Sequence, residues 1–148
     1  MKETIYIAVD FGLKRIGVAA SDISKTLAFA RGYFPNDEKV FVSILDLVKA
    51  ENAEKIIIGY PLKFNSTHTH ATIPVEKFSK KLNQIFKQNS LSVEIVFMDE
   101  RLTSKLAQYH VANSEMRLSK RKNKGILDSL SAQIILQDYL DRLNNSNN

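Results

Sequence analysis

Apolar positions in this chain come first in short runs and later at helical spacing. Thr4 to Asp10 (TIYIAVD) is rich in β-branched residues and predicts a strand. Phe11-Gly12-Leu13 is a turn, and Lys14 to Ser21 predicts a second strand with Gly17 inside it. Glycine within a strand marks a bulge or a close approach by another backbone or a ligand. The short connection makes the two strands antiparallel. Ser21 to Ser24 turns again, and Thr26 to Phe34 completes a three-stranded meander. Asn36 or Asp37 can cap a helix whose apolar face is Val40, Phe41, Ile44, Leu45, Leu47 and Val48, ending near Asn52. Lys55 to Gly59 (KIIIG) is almost wholly apolar, as a strand buried on both faces is. A polar loop follows to about Ala71. Val75, Phe78, Leu82, Ile85 and Phe86 then mark a second helix to about Asn89, and Ser92 to Met98 a fifth strand. Thr103 can cap a helix from Ser104 to about Ala112, Asn113 to Lys124 reads as a loop, and Gly125 to Leu143 as a last amphipathic helix.

The predicted order is β-β-β-α-β-α-β-α-α. It describes an α/β fold with a five-stranded mixed sheet, three antiparallel strands then two parallel ones, flanked by helices. The chain has 148 residues, a length that suits one domain, expected over residues 1–143 with 144–148 as a disordered tail. In open α/β sheets, ligands bind beyond the carboxyl ends of the parallel strands. Asp10, Gly59-Tyr60-Pro61 and Asp99-Glu100 all fall at such ends.

Charge sharpens that expectation. The net charge is +5, yet Arg101, Lys105, Arg117, Lys120, Arg121, Lys122 and Lys124 stand against the single acid Glu115 between residues 101 and 125, so the rest of the chain is slightly acidic. A field concentrated in this way attracts polyanions, nucleic acid first. The apolar fraction of 44% and charged fraction of 25% are those of an ordinary globular protein. No run of apolar residues is long enough for a membrane helix, the N-terminal run is too short for a signal peptide, and cysteine is absent. The chain is therefore expected in the cytoplasm, without disulfides or thiolate metal sites.

Carboxylates stand where charge is costly. Asp10 ends the run Ile5 to Val9, and Asp99-Glu100 ends the run Val93 to Met98. Asp128 shares a helical line with Ser131, Ala132, Ile135 and Tyr139, so it is expected to face the sheet or its rim. Neighbouring strand residues point to opposite faces, so only one of Asp99 and Glu100 can enter a common site. Convergent carboxylates without cysteine suit a hard ion, Mg²⁺ or Mn²⁺, one or two of them, as in phosphodiester hydrolysis. Other roles compete: Asp10 as a turn residue, Asp128 as a helix-dipole partner, Lys14 and Arg15 as phosphate holders or exposed strand-start charges. Asp22 reads as a turn former, the His68/His70 pair as part of a polar loop, and Tyr60 as either packing or a base-stacking ring. There is no GxxxxGK[ST] or GxGxxG phosphate cradle.

Four stretches, AVDFGLKRIGVAASD, IIIGYPL, DERLTS and KGILDSLSAQIILQDYL, in this order, resemble the signatures of the YqgF family, bacterial proteins assigned as pre-16S rRNA nucleases and as Holliday junction resolvase-like. The resemblance covers essentially the whole chain and implies a ribonuclease H-like fold. It implies a catalytic and metal-binding trio of Asp10, Glu100 and Asp128, choosing Glu100 over Asp99. It also implies action on the 5′ end of 16S rRNA precursor, with branched DNA as the older alternative. Ser66 stands where a glycine is common, a departure in the loop after Tyr60 that leaves the acids untouched. The expected partners are structured RNA, pre-rRNA above all, or branched DNA, and ribosomal particles. The backbone contacts would come from Lys14, Arg15, Arg101, Lys105, Arg117, Lys120, Arg121, Lys122 and Lys124, the chain acting as a monomer or weak homodimer. A nucleic-acid-binding ribosome-assembly factor without cleavage is the rival of another class. A sugar-kinase or actin type of ATP binder, suggested by DFG, needs two such domains and does not fit the length.

Overall fold

The structure, a computed structural model, describes residues 3–60, 72–99 and 124–146. Strands β1 (Ile5–Phe11), β2 (Arg15–Ser21) and β3 (Ala28–Pro35) form the meander. Helix α1 (Val40–Glu51), β4 (Ala53–Tyr60), α2 (Thr72–Gln88) and β5 (Glu94–Asp99) follow. The last described element is helix α3 (Lys124–Ser146). The expected helix after Thr103 and the basic loop lie outside the described residues.

The sheet order is β3-β2-β1-β4-β5. β1 pairs antiparallel with β2 and parallel with β4, and β4 pairs parallel with β5. Strand alternation sorts the core into two layers. On one face Ile7, Val9, Ile16, Val18, Ile56 and Ile58 meet Val40, Ile44 and Val48 of α1 and Val75, Phe78, Leu82 and Phe86 of α2. On the other, Tyr6, Ala8, Ala19, Ala28, Ile57 and Met98 meet Ala132, Ile135, Leu136 and Leu140 of α3. The α3 face is lined by alanines in three strands, so the helix can lie close to the sheet.

Two helix ends differ from the expected ones. α1 starts at Val40 with Lys39 as its N-cap and no side-chain cap; Asp37 instead accepts the Lys39 N–H at 2.9 Å, ordering the turn before the helix. α1 ends as expected at Asn52, whose left-handed backbone (φ 55°) turns the chain directly into β4. α3 includes Asn144 to Ser146, which the sequence pattern assigns to a tail. The Asn144 amide reaches the Lys25 carbonyl at 3.2 Å, tying this last turn to the β2–β3 turn.

α3 is fastened to the meander along its length. Gln133 donates to the Ala28 carbonyl; Gln137 accepts the Ala28 N–H at 2.9 Å and donates to the Thr26 carbonyl at 2.8 Å. Farther on, the Tyr139 hydroxyl accepts from Lys55 at 2.9 Å, and the Lys55 ammonium lies 4.8 Å from the Tyr6 ring centre. Burial works against the Lys55 charge, but Tyr139, Tyr6 and Glu94 outweigh it and raise its pKa above the usual 10.5. Among the described residues, no helix is long and apolar enough to cross a membrane.

Candidate active site

The site begins at the β1–β2 hairpin. Alternation sends Val9 into the α1/α2 layer, so Asp10, half-buried, faces α3. Across the ladder Asp10 pairs with Gly17. Asn36 steadies the turn: its side chain donates to the Gly12 carbonyl at 2.8 Å, and its N–H to the Lys14 carbonyl at 2.9 Å.

Gly17 is where α3 meets the sheet. A Cβ there would lie 2.0 Å from the Asp128 carbonyl oxygen and 2.9 Å from the Ser129 nitrogen. Only glycine lets the helix backbone come so near. The sequence offered a bulge or a close approach at this position, and both occur, since the β2–β3 register also shifts between Gly17 and Ala19. Ser129, buried, holds the contact closed. Its hydroxyl donates to the Val18 carbonyl at 3.2 Å and accepts the Gly32 N–H at 2.8 Å.

This approach carries Asp128 to the sheet rim expected from the helical line. Its carboxylate is about one-third exposed, and its Oδ2 accepts from Arg15 Nε at 2.9 Å. Both partners are thus half-buried, a setting where a charge-assisted hydrogen bond orients the carboxylate. The ion pair joins residues 113 apart in sequence. Arg15 is therefore engaged with an acid, while Lys14 stands exposed at the turn.

At the parallel strand ends, Val9 is level with Ile58, and Gly59 with Met98. Met98 lies in the α3 layer. Asp99, the next residue, pairs with Tyr60 and faces the opposite side of the sheet from Asp10. Asp99 is thus on the wrong face to join Asp10 and Asp128. Glu100, Arg101, Lys105, Arg117, Lys120, Arg121 and Lys122 lie outside the described residues, as do His68, His70 and Ser66. Lys124 opens α3, and nothing is described of its side chain or that of Tyr60. Among the described residues no three acids or histidines gather into a metal cluster. Asp22, by contrast, is the expected turn former: it accepts from the Thr26 N–H at 2.9 Å, the Leu27 N–H at 3.1 Å and the Ser24 hydroxyl at 2.5 Å. These bonds, that of Ser24 foremost, hold its carboxyl well below the usual carboxylate range.

The sequence model of RuvX, described as Holliday junction resolvase, matches residues 4–142. The chain belongs to the RuvX (YqgF) family. A Sulfurihydrogenibium relative named "Putative pre-16S rRNA nuclease" is 41% identical over 141 residues, covering 95% of this chain and 92% of its own. A Caldanaerobacter subterraneus relative of the same name is 37% identical, covering 95% and 98%. Nucleases are hydrolases of ester bonds, and that is the enzyme class in which the RuvX relatives place this chain. Among solved structures, Thermus thermophilus RuvC in complex with a Holliday junction substrate aligns at TM-score 0.57 and 9% identity, covering 95% of this chain and 96% of that one. Fowlpox virus resolvase with Holliday junction DNA aligns at TM-score 0.53 and 14% identity, covering 95% and 99%. The RuvX chain shares with both the ribonuclease H-like fold.

The residues that sequence reasoning left out are those that assemble the site. Ser129 and Gly32 have no periodic signal of their own, and of the two only Gly32 had a cue, a glycine inside an expected strand. Asn36, expected as a possible cap of α1, instead spends its side chain on the β1–β2 turn.

Proposed function

We propose that this chain is a divalent-metal-dependent nuclease that cleaves structured RNA at the 5′ end of 16S rRNA precursor. The observation that carries the proposal is the contact at Gly17. It brings a carboxylate from the last helix to the strand end where Asp10 stands. In this reading residues 1–143 form one domain, working in the cytoplasm on pre-rRNA, free or in ribosomal particles.

The donor set fits a hard ion. Asp10 and Asp128 offer carboxylate oxygens, and the chain has no cysteine to attract a softer metal. Asp10, Asp128 and, from beyond the described residues, Glu100 would hold one or two Mg²⁺ or Mn²⁺ ions. Such ions, when bound, supply an activated water and charge neutralisation at the phosphate. The position of Asp99 on the other face supports Glu100 as the third acid. Arg15 fixes the direction in which the Asp128 carboxylate points. Lys14, with Arg101, Lys105, Arg117, Lys120, Arg121, Lys122 and Lys124, would draw in the phosphate backbone.

The test is cleavage of a pre-16S rRNA 5′ end in Mn²⁺ by wild type and Asp10→Asn. Loss of a supporting partner costs a metal site tenfold to a hundredfold, so loss of a ligand should cost at least about a hundredfold. Equal rates would remove Asp10 from the chemistry. The description of the matched family, Holliday junction resolvase, favours a second reading, cleavage of four-way DNA by the same acids. Running both substrates side by side separates the two.

A further inference from the structure

Beside the carboxylates, the structure holds a groove that the acids do not use. It is a cavity of about 300 Å³ lined by Ala30, Gly32 and Tyr33 of β3 and by Ser129 and Leu130 of α3. β3 is the outermost strand of the sheet among the described residues, so the groove lies at the margin of that sheet. Among the described residues nothing lies within 4 Å of where a Gly32 Cβ would stand, so β3 is uncovered at this point. The wall of the groove is Tyr33, a large ring left 48% exposed.

The position of that ring is what gives the groove meaning. Tyr33 pairs with Gly17 across the β2–β3 ladder, so both face α3. Gly17 is also the register partner of Asp10 and touches the backbone of Asp128. One residue, without a side chain, thus separates Tyr33 from both acids. Arg15 lies on the same face two positions along β2, and Lys14 is exposed just beyond it. An aromatic wall, an apolar lining and the exposed Lys14 beyond one end match the parts of a nucleotide: a flat base, and a phosphate at one end. An edge-strand aromatic could instead pair with a second copy of the chain, and the mass in solution of the Tyr33→Ala chain separates that outcome from base stacking.

We propose that the groove between β3 and the start of α3 receives an unpaired nucleobase of the substrate, stacked on the Tyr33 ring next to the scissile phosphate. This rests on the nuclease reading and adds to it a preference for single-stranded nucleotides flanking the cut. Stacking on an aromatic ring is tolerant of base identity, because every base has a π-face, and it leaves RNA and DNA to be told apart elsewhere.

The experiment measures binding without cleavage, in EDTA, by fluorescence anisotropy with short single-stranded RNA, single-stranded DNA and blunt RNA duplex. Tyr33→Ala should weaken both single strands about tenfold, Tyr33→Phe should bind as wild type, and the duplex should be unaffected. The salt dependence of single-strand binding should keep its slope, since no phosphate contact is lost. The chain contains no tryptophan, so Tyr33→Trp places a lone reporter in the groove, and its emission should be quenched by single strands only. Unchanged affinity in Tyr33→Ala together with unquenched emission in Tyr33→Trp overturns the proposal. So does a Tyr33→Ala chain whose mass in solution falls while RNA affinity stays. The outcome is independent of the Asp10→Asn assay: intact binding in Tyr33→Ala beside a dead Asp10→Asn refutes the groove alone, and the converse pair of results refutes the catalytic assignment alone.

Discussion

Replacing Gly17 with alanine tests the idea that one absent side chain seats the last helix. The new Cβ would stand 2.0 Å from the Asp128 carbonyl oxygen, whereas ordinary contact begins at 3.4 Å. The obstructing atoms are backbone on both sides, so no rotamer change relieves the clash. α3 must retreat by about 1.4 Å at its first turns, the gap between those two distances. Overpacking of this kind costs about 1–3 kcal/mol. The Ser129 bonds to Val18 and Gly32 stretch with the retreat, at about 1 kcal/mol each. A loss of roughly 3–5 kcal/mol would lower the melting temperature by about 6–20 °C for a chain of this size. Activity should fall further than stability, because a displacement of about 1 Å at a reacting group can cost a hundredfold. Calorimetry and single-turnover cleavage at a temperature where the variant is folded measure the two separately. Gly32→Ala is the control. Space at Gly32 is open but φ is +88°, so it should lose about 1–2 kcal/mol from backbone strain alone. If Gly17→Ala melts and cleaves like wild type, the close approach does not position Asp128.

Ser129→Ala should lower stability by about 1–3 kcal/mol in a denaturant melt, since it leaves the Gly32 N–H without its acceptor. Cleavage should fall with it, and Ser129→Ala within 0.5 kcal/mol of wild type would contradict this account of the α3 seat. Asp22 makes a prediction in pH. Its folded pKa is depressed, so its contribution to stability is present in full above the ordinary value of 3.8 and is lost as pH falls below that value. Asp22→Asn should therefore flatten the acid limb of the stability curve below about pH 4 while leaving cleavage unchanged.

The sheet was largely legible because its signals are local. KIIIG is apolar without alternation, and β4 is the strand covered on both faces between β1 and β5. Asp10 could be singled out because a charge ended an apolar run. The line through Ser131, Ala132, Ile135 and Tyr139 correctly turned Asp128 toward the sheet. What stayed illegible depends on docking. No local pattern says that Arg15 meets an acid 113 residues away, or that Ser129 bridges two strands. The N-cap of α1 misled for a related reason. Asp37 has the right chemistry for a cap but uses it on the turn that leads to Lys39.

The ion pair between Arg15 and Asp128 also bears on when the enzyme comes into being. The hairpin half of the site is synthesised early, and its acid partner only after 113 further residues. Closing so long a loop is entropically slow compared with forming the hairpin itself. A growing chain therefore carries β1 and β2 through those 113 residues without α3 on their face. For a protein proposed to cut ribosomal RNA, this ordering is a built-in delay: no complete acid site exists while the nascent chain still lacks α3.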